Sequence, residues 1–399
     1  MKTVLILGGT MYQVPVIEYC KQKGYRAVTC DYIPSNPGHK YSDEYHNVST
    51  TDIEGVLSLA KVIQADAIVA YASDPAAITA ARVAQGLKLP GNSIESVEIL
   101  SNKSKFRQFL EKNRFRTPKT VTIKTLQTIE KDVQKLSYPL IIKPVDSSGS
   151  KGVIKIDSPD KLSESFDQSI RFSRSGSVII EEFIDKIGPI LGGEVFIENG
   201  KRLASFLGDQ LCDAQLAPYT PCGMIFPTRR PPEIQLKVLN TVETIVNKLG
   251  FSSGGVNIEF LIDQKGEPIV IEIGPRTGGN LLPELATIGT GFDFAGNSVE
   301  TALGNKPAPL KLNIRDQNLA YYAVHTNDAG ILKEVTFSDK LSRHISNYIQ
   351  LKKRGDQVEP FRSANHSLGI LLLKFDSPQD SHSIMSIIDK HINVQLEIR

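Results

Sequence analysis

The chain has 399 residues, too many for one ordinary hydrophobic core, so two or three domains are expected. Hydrophobic residues make up 40% and charged residues 23%, and 46 basic against 44 acidic side chains leave a net charge of +2 with no basic tail or charged block. That is a globular composition, it gives a nucleic-acid or membrane-surface role no support, and no apolar run approaches the roughly 20 residues of a membrane span.

Residues 1 to about 100 alternate short apolar runs with helical stretches: TVLILGG, a helix closing at Gly24, YRAVTCD, a helix near 52–64, DAIVAY, then PAAITAARVAQG. This alternation predicts a doubly wound parallel sheet with helices on both faces, an N-terminal α/β domain over residues 1–101. VLILGG is too short for a signal-peptide core and reads as the first strand. From residue 102 the pattern changes to α+β. NKSKFRQFLEKN reads as a helix, followed by PLIIKP, GVIKI, a helix over 158–173 and SVIIEEFI. EVFIENGKRLASFLGDQ carries an Asn-Gly turn between strand-like runs, a strong hairpin signal. A helix over 231–249 precedes a second hairpin, GGVNIEFLIDQKGEPIVIEIGP, turning at Lys265-Gly266. Pro307 and Pro309 mark the best boundary, so residues 306–399, with LGILLLKF, a helix and VQLEI, are expected to form a further small α+β unit.

Cys20, Cys30, Cys212 and Cys222 make no CxxC and the seven histidines no HExxH, so a zinc site has no signature. Thiols in a reducing cytoplasm are the expectation.

The informative stretch is YPLIIKPVDSSGSKG, residues 138–152, which puts Lys143 at the end of an apolar run and just before a loop of small residues. A Walker A loop needs its lysine last, after GxxxxG, so that motif fails. A dinucleotide fingerprint fails too, because the first loop holds only Gly8 and Gly9, although Asp31 ends the second strand. A strand-end lysine can simply snorkel to water. Beside Ser147, Ser148, Gly149, Ser150 and Gly152, however, its ammonium and a run of accessible amides suit phosphate oxygens.

Taken in order, YPLIIKP, SSGSKGV, VIIEEFI, VNIEF and IVIEIGPRTGGN resemble the ATP-grasp ligase superfamily over roughly residues 1–300. The resemblance implies an ATP-grasp domain over 102–305, with subdomains of about 102–184 and 185–305 closing on ATP. It implies Lys143 and Lys103 on the α/β phosphates, with the Gly/Ser loop folded over them. Main-chain groups of Glu182, Phe183 and Ile184 would meet the adenine, Glu181 would lie at its amine, and Glu194 would bond the ribose hydroxyls. For metal, strand alternation puts Asn257 and Glu259 on one face and Glu272, Gly274 and Arg276 on one face of the partner strand. Two facing glutamates repel without a cation, and hard oxygen ligands beside a triphosphate suit Mg²⁺, with Mn²⁺ as its substitute. The chain departs from the family's Glu-x-Asn-x-Arg at Gly274; Asn257, Asn280 or water could fill that ligand position.

The family reaction turns a carboxylate into an acyl phosphate that an amine then attacks, releasing ADP and phosphate, with Arg276 and Lys143 stabilising the charge that develops. The C-terminal segment resembles the L-amino-acid ligases, which implies a cytoplasmic carboxylate–amine ligase with small-molecule substrates. Members of the family are often dimers, so a homodimer is the expected assembly. Asp74, Asp209, Asp213, Arg229 and Arg230 are the polar candidates for substrate recognition. Two alternatives stand beside this reading. One is a nucleotide-binding protein with a degenerate metal site; the other is an enzyme like carbamoyl-phosphate synthase or biotin carboxylase.

Overall fold

In the computed structural model, residues 1–310 and 317–397 are described. The N-terminal unit is built on β1 (Thr3–Leu7), β2 (Arg26–Cys30), β3 (Glu44–His46) and β4 (Ala67–Val69), all parallel in the order β3-β2-β1-β4. Helices α1 (Val14–Gln22), α2 (Ile53–Val62) and α3 (Asp74–Gly86) cover it, with Val56, Leu59, Ala76 and Val83 buried on one face and Val16 and Ile17 on the other. Helix α4 (Ile94–Ser101) then leads out of this unit.

The next layer comprises α5 (Lys103–Lys112), β5 (Thr120–Ile123), α6 (Ile129–Val133), β6 (Leu140–Pro144), β7 (Ile154–Ile156), α7 (Leu162–Ile170) and β8 (Val178–Glu182). Its four strands form one antiparallel sheet in the order β5-β8-β6-β7. The third layer starts with β9 (Ile190–Glu198), β10 (Lys201–Asp213), β11 (Ala217–Phe226), α8 (Pro232–Leu249), β12 (Gly254–Ile262), β13 (Pro268–Gly274), α9 (Leu282–Thr290) and α10 (Phe294–Ala302). Both expected hairpins form, and Asn199 and Gly200 take the positive φ values that a tight right-twisted hairpin turn requires.

The C-terminal strands are β14 (Asn318–Val324), β15 (Gly330–Phe337), β16 (Ile345–Gln350), β17 (Gln357–Val358), β18 (Gly369–Phe375) and β19 (Ile392–Glu397). Three of them do not stand apart as the small unit expected from residue 306. They continue the third layer as one eight-stranded sheet, β13-β12-β9-β10-β11-β14-β18-β16, because β14 pairs with the free edge of β11. Only β17, β15 and β19 form a separate three-stranded sheet. A second element crosses the expected boundaries: α10 packs Val299 into the core under the N-terminal sheet. Among the described residues no helix is long and apolar enough to cross a membrane.

Phe196, fully buried on β9, packs its ring 5.0 Å from Phe292 and 6.1 Å from Phe294, which ties the large sheet to α9 and α10. Truncating it to alanine is expected to lower stability by about 3–5 kcal/mol, read as a shift in the urea midpoint at constant slope.

Candidate active site

A cleft of about 1260 Å³ runs between the four-stranded and eight-stranded sheets and reaches the N-terminal unit. Among the residues expected for nucleotide and metal, Lys103, Lys143, Ser147, Ser148, Gly149, Ser150, Glu181, Glu182, Phe183, Ile184, Asn257, Glu259, Glu272 and Arg276 all line it. Gly152 and Glu194 do not. Gly152 sits behind the loop, where a Cβ would come within 3.1 Å of Phe172, Pro144 and the Ser169 carbonyl. It shapes the loop rather than touching the cleft.

At one end, β6 delivers Lys143 and α5 delivers Lys103. The Lys143 Nζ lies 2.6 Å from Glu181 Oε2 on the neighbouring strand β8, and Arg107 Nε lies 2.6 Å from Glu181 Oε1. Arg107, Glu181 and Lys143 are all buried, so one carboxylate is shared by two cations and the trio keeps a net positive charge. Burial pushes the Glu181 carboxyl up, but Arg107 and Lys143 outweigh it and hold the group down at about 2. Burial lowers the Lys143 pKa, with Arg107 and Lys103 adding to that effect against Glu181. Lys103 donates 3.1 Å to the Ser147 carbonyl and pairs with Glu272 Oε2 at 3.2 Å. The phosphate-sized loop is docked on the opposite wall, where the Ser150 hydroxyl donates to Tyr219 O at 2.7 Å.

At the other wall, the β12–β13 register sets Glu259 directly opposite Glu272 and Asn257 opposite Gly274, while Ile258, Phe260 and Ile273 are buried behind them. Burial first, and then the Glu272 charge, push the Glu259 carboxyl up to about 7. Burial also acts on Glu272, but Lys103, Arg276 and Lys143 together hold it below the usual carboxylate range. Near neutral pH the pair therefore keeps a proton that a cation would displace, which fits a divalent ion with oxygen ligands. Among the described residues no group of three or more His, Cys, Asp or Glu has metal-binding geometry. The groups that could hold such an ion are these two glutamates and the Asn257 amide oxygen, a set that would suit Mg²⁺, which readily keeps several waters. A Cβ at Gly274 would meet the Arg276 guanidinium at an ordinary contact distance of 3.4 Å, and that guanidinium reaches back to Asp74 at 2.5 Å.

Comparisons with known proteins bear on the domain and the fold. The family model for the ATP-grasp domain matches residues 100–280. Residues 100–280 thus carry an ATP-grasp domain. Its fold superposes on the L-amino acid ligase of Bacillus licheniformis with a TM-score of 0.83 at 22% identity, covering 100% of this chain and 99% of that one. Phosphoribosylglycinamide synthetase from Anaerococcus prevotii gives 0.77 at 20% identity over 99% and 100%. In sequence, the carbamoyl phosphate synthase large chain of Rubrobacter xylanophilus is 26% identical over 71% of this chain and 28% of its own length. The uncharacterized protein y4rH of Sinorhizobium fredii is 26% identical over 64% and 50%. This chain thus spans half or less of the length of these two curated relatives.

Within this ATP-grasp cleft, two expected roles need correction. Glu194 is fully buried: its Oε1 accepts from Asn257 Nδ2 at 2.8 Å and from the Gly278 amide at 2.7 Å. Register pairs it with Asn257 across β9 and β12, so here it anchors a cleft residue rather than lining the cleft. Glu181 does not offer a free carboxylate to the adenine amine, since both oxygens are engaged by Arg107 and Lys143. The hinge backbone is also partly committed. The Glu182 amide bonds Lys119 O at 3.0 Å and the Phe183 amide Pro139 O at 2.9 Å.

Of the substrate candidates, only Asp74 reaches the cleft. Asp209 accepts from the Thr228 hydroxyl and the Arg229 amide, and Asp213 caps a turn through the Gln215 and Leu216 amides. Arg229 and Arg230 spend their guanidinium groups on backbone carbonyls. Sequence reasoning missed Arg107. Its signal was the four-residue spacing from Lys103, which puts both cations on one face of α5.

Proposed function

We propose that the protein is an ATP-dependent carboxylate–amine ligase acting on an amino-acid substrate, and that it releases ADP and phosphate. The observation that carries the reading is convergence. An ammonium at the tip of β6 and two carboxylates on the β12–β13 hairpin face one cleft, with the Gly/Ser loop between the sheets. At about 1260 Å³ the cleft also exceeds the size range of most single-ligand pockets, leaving room for substrates beside a nucleotide.

ATP bound with Mg²⁺ would supply the phosphoryl group that turns a substrate carboxylate into an acyl phosphate with release of ADP, and the amine would attack its acyl carbon and release phosphate. Lys143 and Lys103 would hold phosphate oxygens, the loop amides would close over them, and Glu259, Glu272 and Asn257 would hold the metal. Arg276 stands where charge develops on the carbonyl and the transferring group, and a fixed guanidinium is preorganised for both. In the free protein Asp74 neutralises it. A substrate bearing both a carboxylate and an ammonium can replace that internal pair, with its carboxylate on Arg276 and its ammonium on Asp74. This supports an amino acid.

The test is phosphate release with Mg²⁺-ATP across a matrix of amino acids and small carboxylates. Release is expected only when acid and amine are both present. ATP-dependent thermal stabilisation without release on any pair would instead favour a binding protein without turnover, the reading that Gly274 motivates.

A further inference from the structure

The cleft carries charges that the reaction does not use. Its ion pairs involve Lys103, Lys143 and Arg276, which sit with Glu272, Glu181 and Asp74 at the nucleotide and metal end. Five further lysines line it: Lys151 in the Gly/Ser loop, Lys186 just past the hinge, and, from neither, Lys40 at the end of the Pro37–Lys40 turn and Lys352 and Lys353 just past β16. Among the described residues none of these last three makes an ion pair. Of the acidic residues on the cleft wall only Asp356 belongs to their segments, and its Oδ2 accepts from the Lys353 amide within its own turn.

The segment bearing Lys40 and the one bearing Lys352 and Lys353 come from opposite ends of the chain and are held in place. The Gly38 amide donates to Gly9 O at 2.7 Å, and a Cβ on Gly38 would lie 2.6 Å from that same carbonyl. Only glycine permits this approach, which presses the Lys40 turn against the loop carrying Thr10 to Tyr12. In the other segment, the Leu351 and Lys352 amides both donate to Leu368 O at 2.9 Å, and the Asp356 amide returns to Lys353 O at 3.0 Å. Leu351 and Tyr12 both pack on one hydrophobic cluster, and both segments line the same cleft. Tyr12 in turn reaches Asn280, four residues beyond Arg276.

Like charges gathered from separate elements, without counter-ions, cost stability unless an anion joins them. From this we infer that one substrate carries a second anionic group, a carboxylate or a phosphate, at the end remote from its reacting carboxyl or amine, and that Lys40, Lys352 and Lys353 read it. The inference rests on the ligase reading for the identity of the cleft, and it names the chemical class of substrate.

The experiment pairs neutral and anionic compounds of similar size, glutamine with glutamate and serine with O-phosphoserine, in the phosphate-release assay with the full chain and Mg²⁺-ATP. The parent protein is expected to favour the anionic members by about tenfold or more in kcat/KM, chiefly through KM, and to lose that preference at high salt. In the K352E/K353E double variant the anionic-to-neutral ratio falls by about tenfold or more, while retained stabilisation by Mg²⁺-ATP shows that the fold is intact. Preference for glutamate or for O-phosphoserine tells which anion is read. Equal rates for neutral and anionic members, or a ratio that the double variant does not move, would overturn the inference. If no pair is turned over, the ligase reading fails by itself. Calorimetric titration of glutamate and O-phosphoserine into the protein with Mg²⁺-ATP then decides the subsite: binding lost in the variant sustains it, and no binding removes it.

Discussion

Replacing Lys143 with alanine is expected to reduce ATP-dependent phosphate release by about a hundredfold to a thousandfold, the usual effect of deleting one preorganised charge that stabilises a transition state. The fold should survive, and the geometry says why. Deleting one partner of a buried ion pair is normally severe because the other charge is left unpaired. Here Glu181 keeps Arg107 at 2.6 Å, so its carboxylate stays compensated. Steady-state phosphate release and a urea melt on one preparation check both statements. Turnover within a few fold of the parent, with the urea midpoint kept, would remove Lys143 from the chemistry.

For Glu259→Gln, activity and stability should move in opposite directions. Burial and the facing Glu272 raise the Glu259 carboxyl from 4.5 to about 7, so the folded state holds a proton there that the unfolded chain has released. The native protein without metal should therefore lose stability as pH rises from about 4.5 to about 7, because the folded form binds more protons across that window. Glutamine mimics the protonated form. The variant is expected to lack that part of the pH slope and to melt higher than the parent at pH 8 without Mg²⁺. Its turnover should fall about a hundredfold or more, and its thermal stabilisation by Mg²⁺-ATP should shrink, because a charged ligand oxygen is gone. Thermal melts from pH 4 to 9, with and without Mg²⁺-ATP, read all three effects. An unchanged slope, or full activity, would take Glu259 out of the metal site.

What could be read from the residues was what is local in sequence. Asn199-Gly200 and Lys265-Gly266 announce their hairpins, strand alternation puts Glu259 and Glu272 on facing surfaces, and Lys143 stands next to its loop. The rest depended on partners far apart in the chain. Arg107 and Glu181 are separated by 74 positions, and Asp74 and Arg276 by 202. No periodicity reports such pairs, and the same holds for Glu194, whose burial follows from register with Asn257 and from the cover of Gly278. The expected boundary at 305 failed for a similar reason. β14 has the composition of any buried strand, and nothing in it says that it will close the open edge of β11.

That shared sheet has a mechanical consequence. The strands bearing Glu259 and Glu272 lie at one edge, and β16, which leads into Lys352 and Lys353, forms the other edge of the same eight-stranded slab. Lys143 and the loop after it ride on a different slab of four strands. Jaw-like motion between the two would carry Lys143 and its loop toward or away from the larger slab, leaving the spacing of Glu259 and Glu272 from Lys352 and Lys353 constant like marks on a ruler.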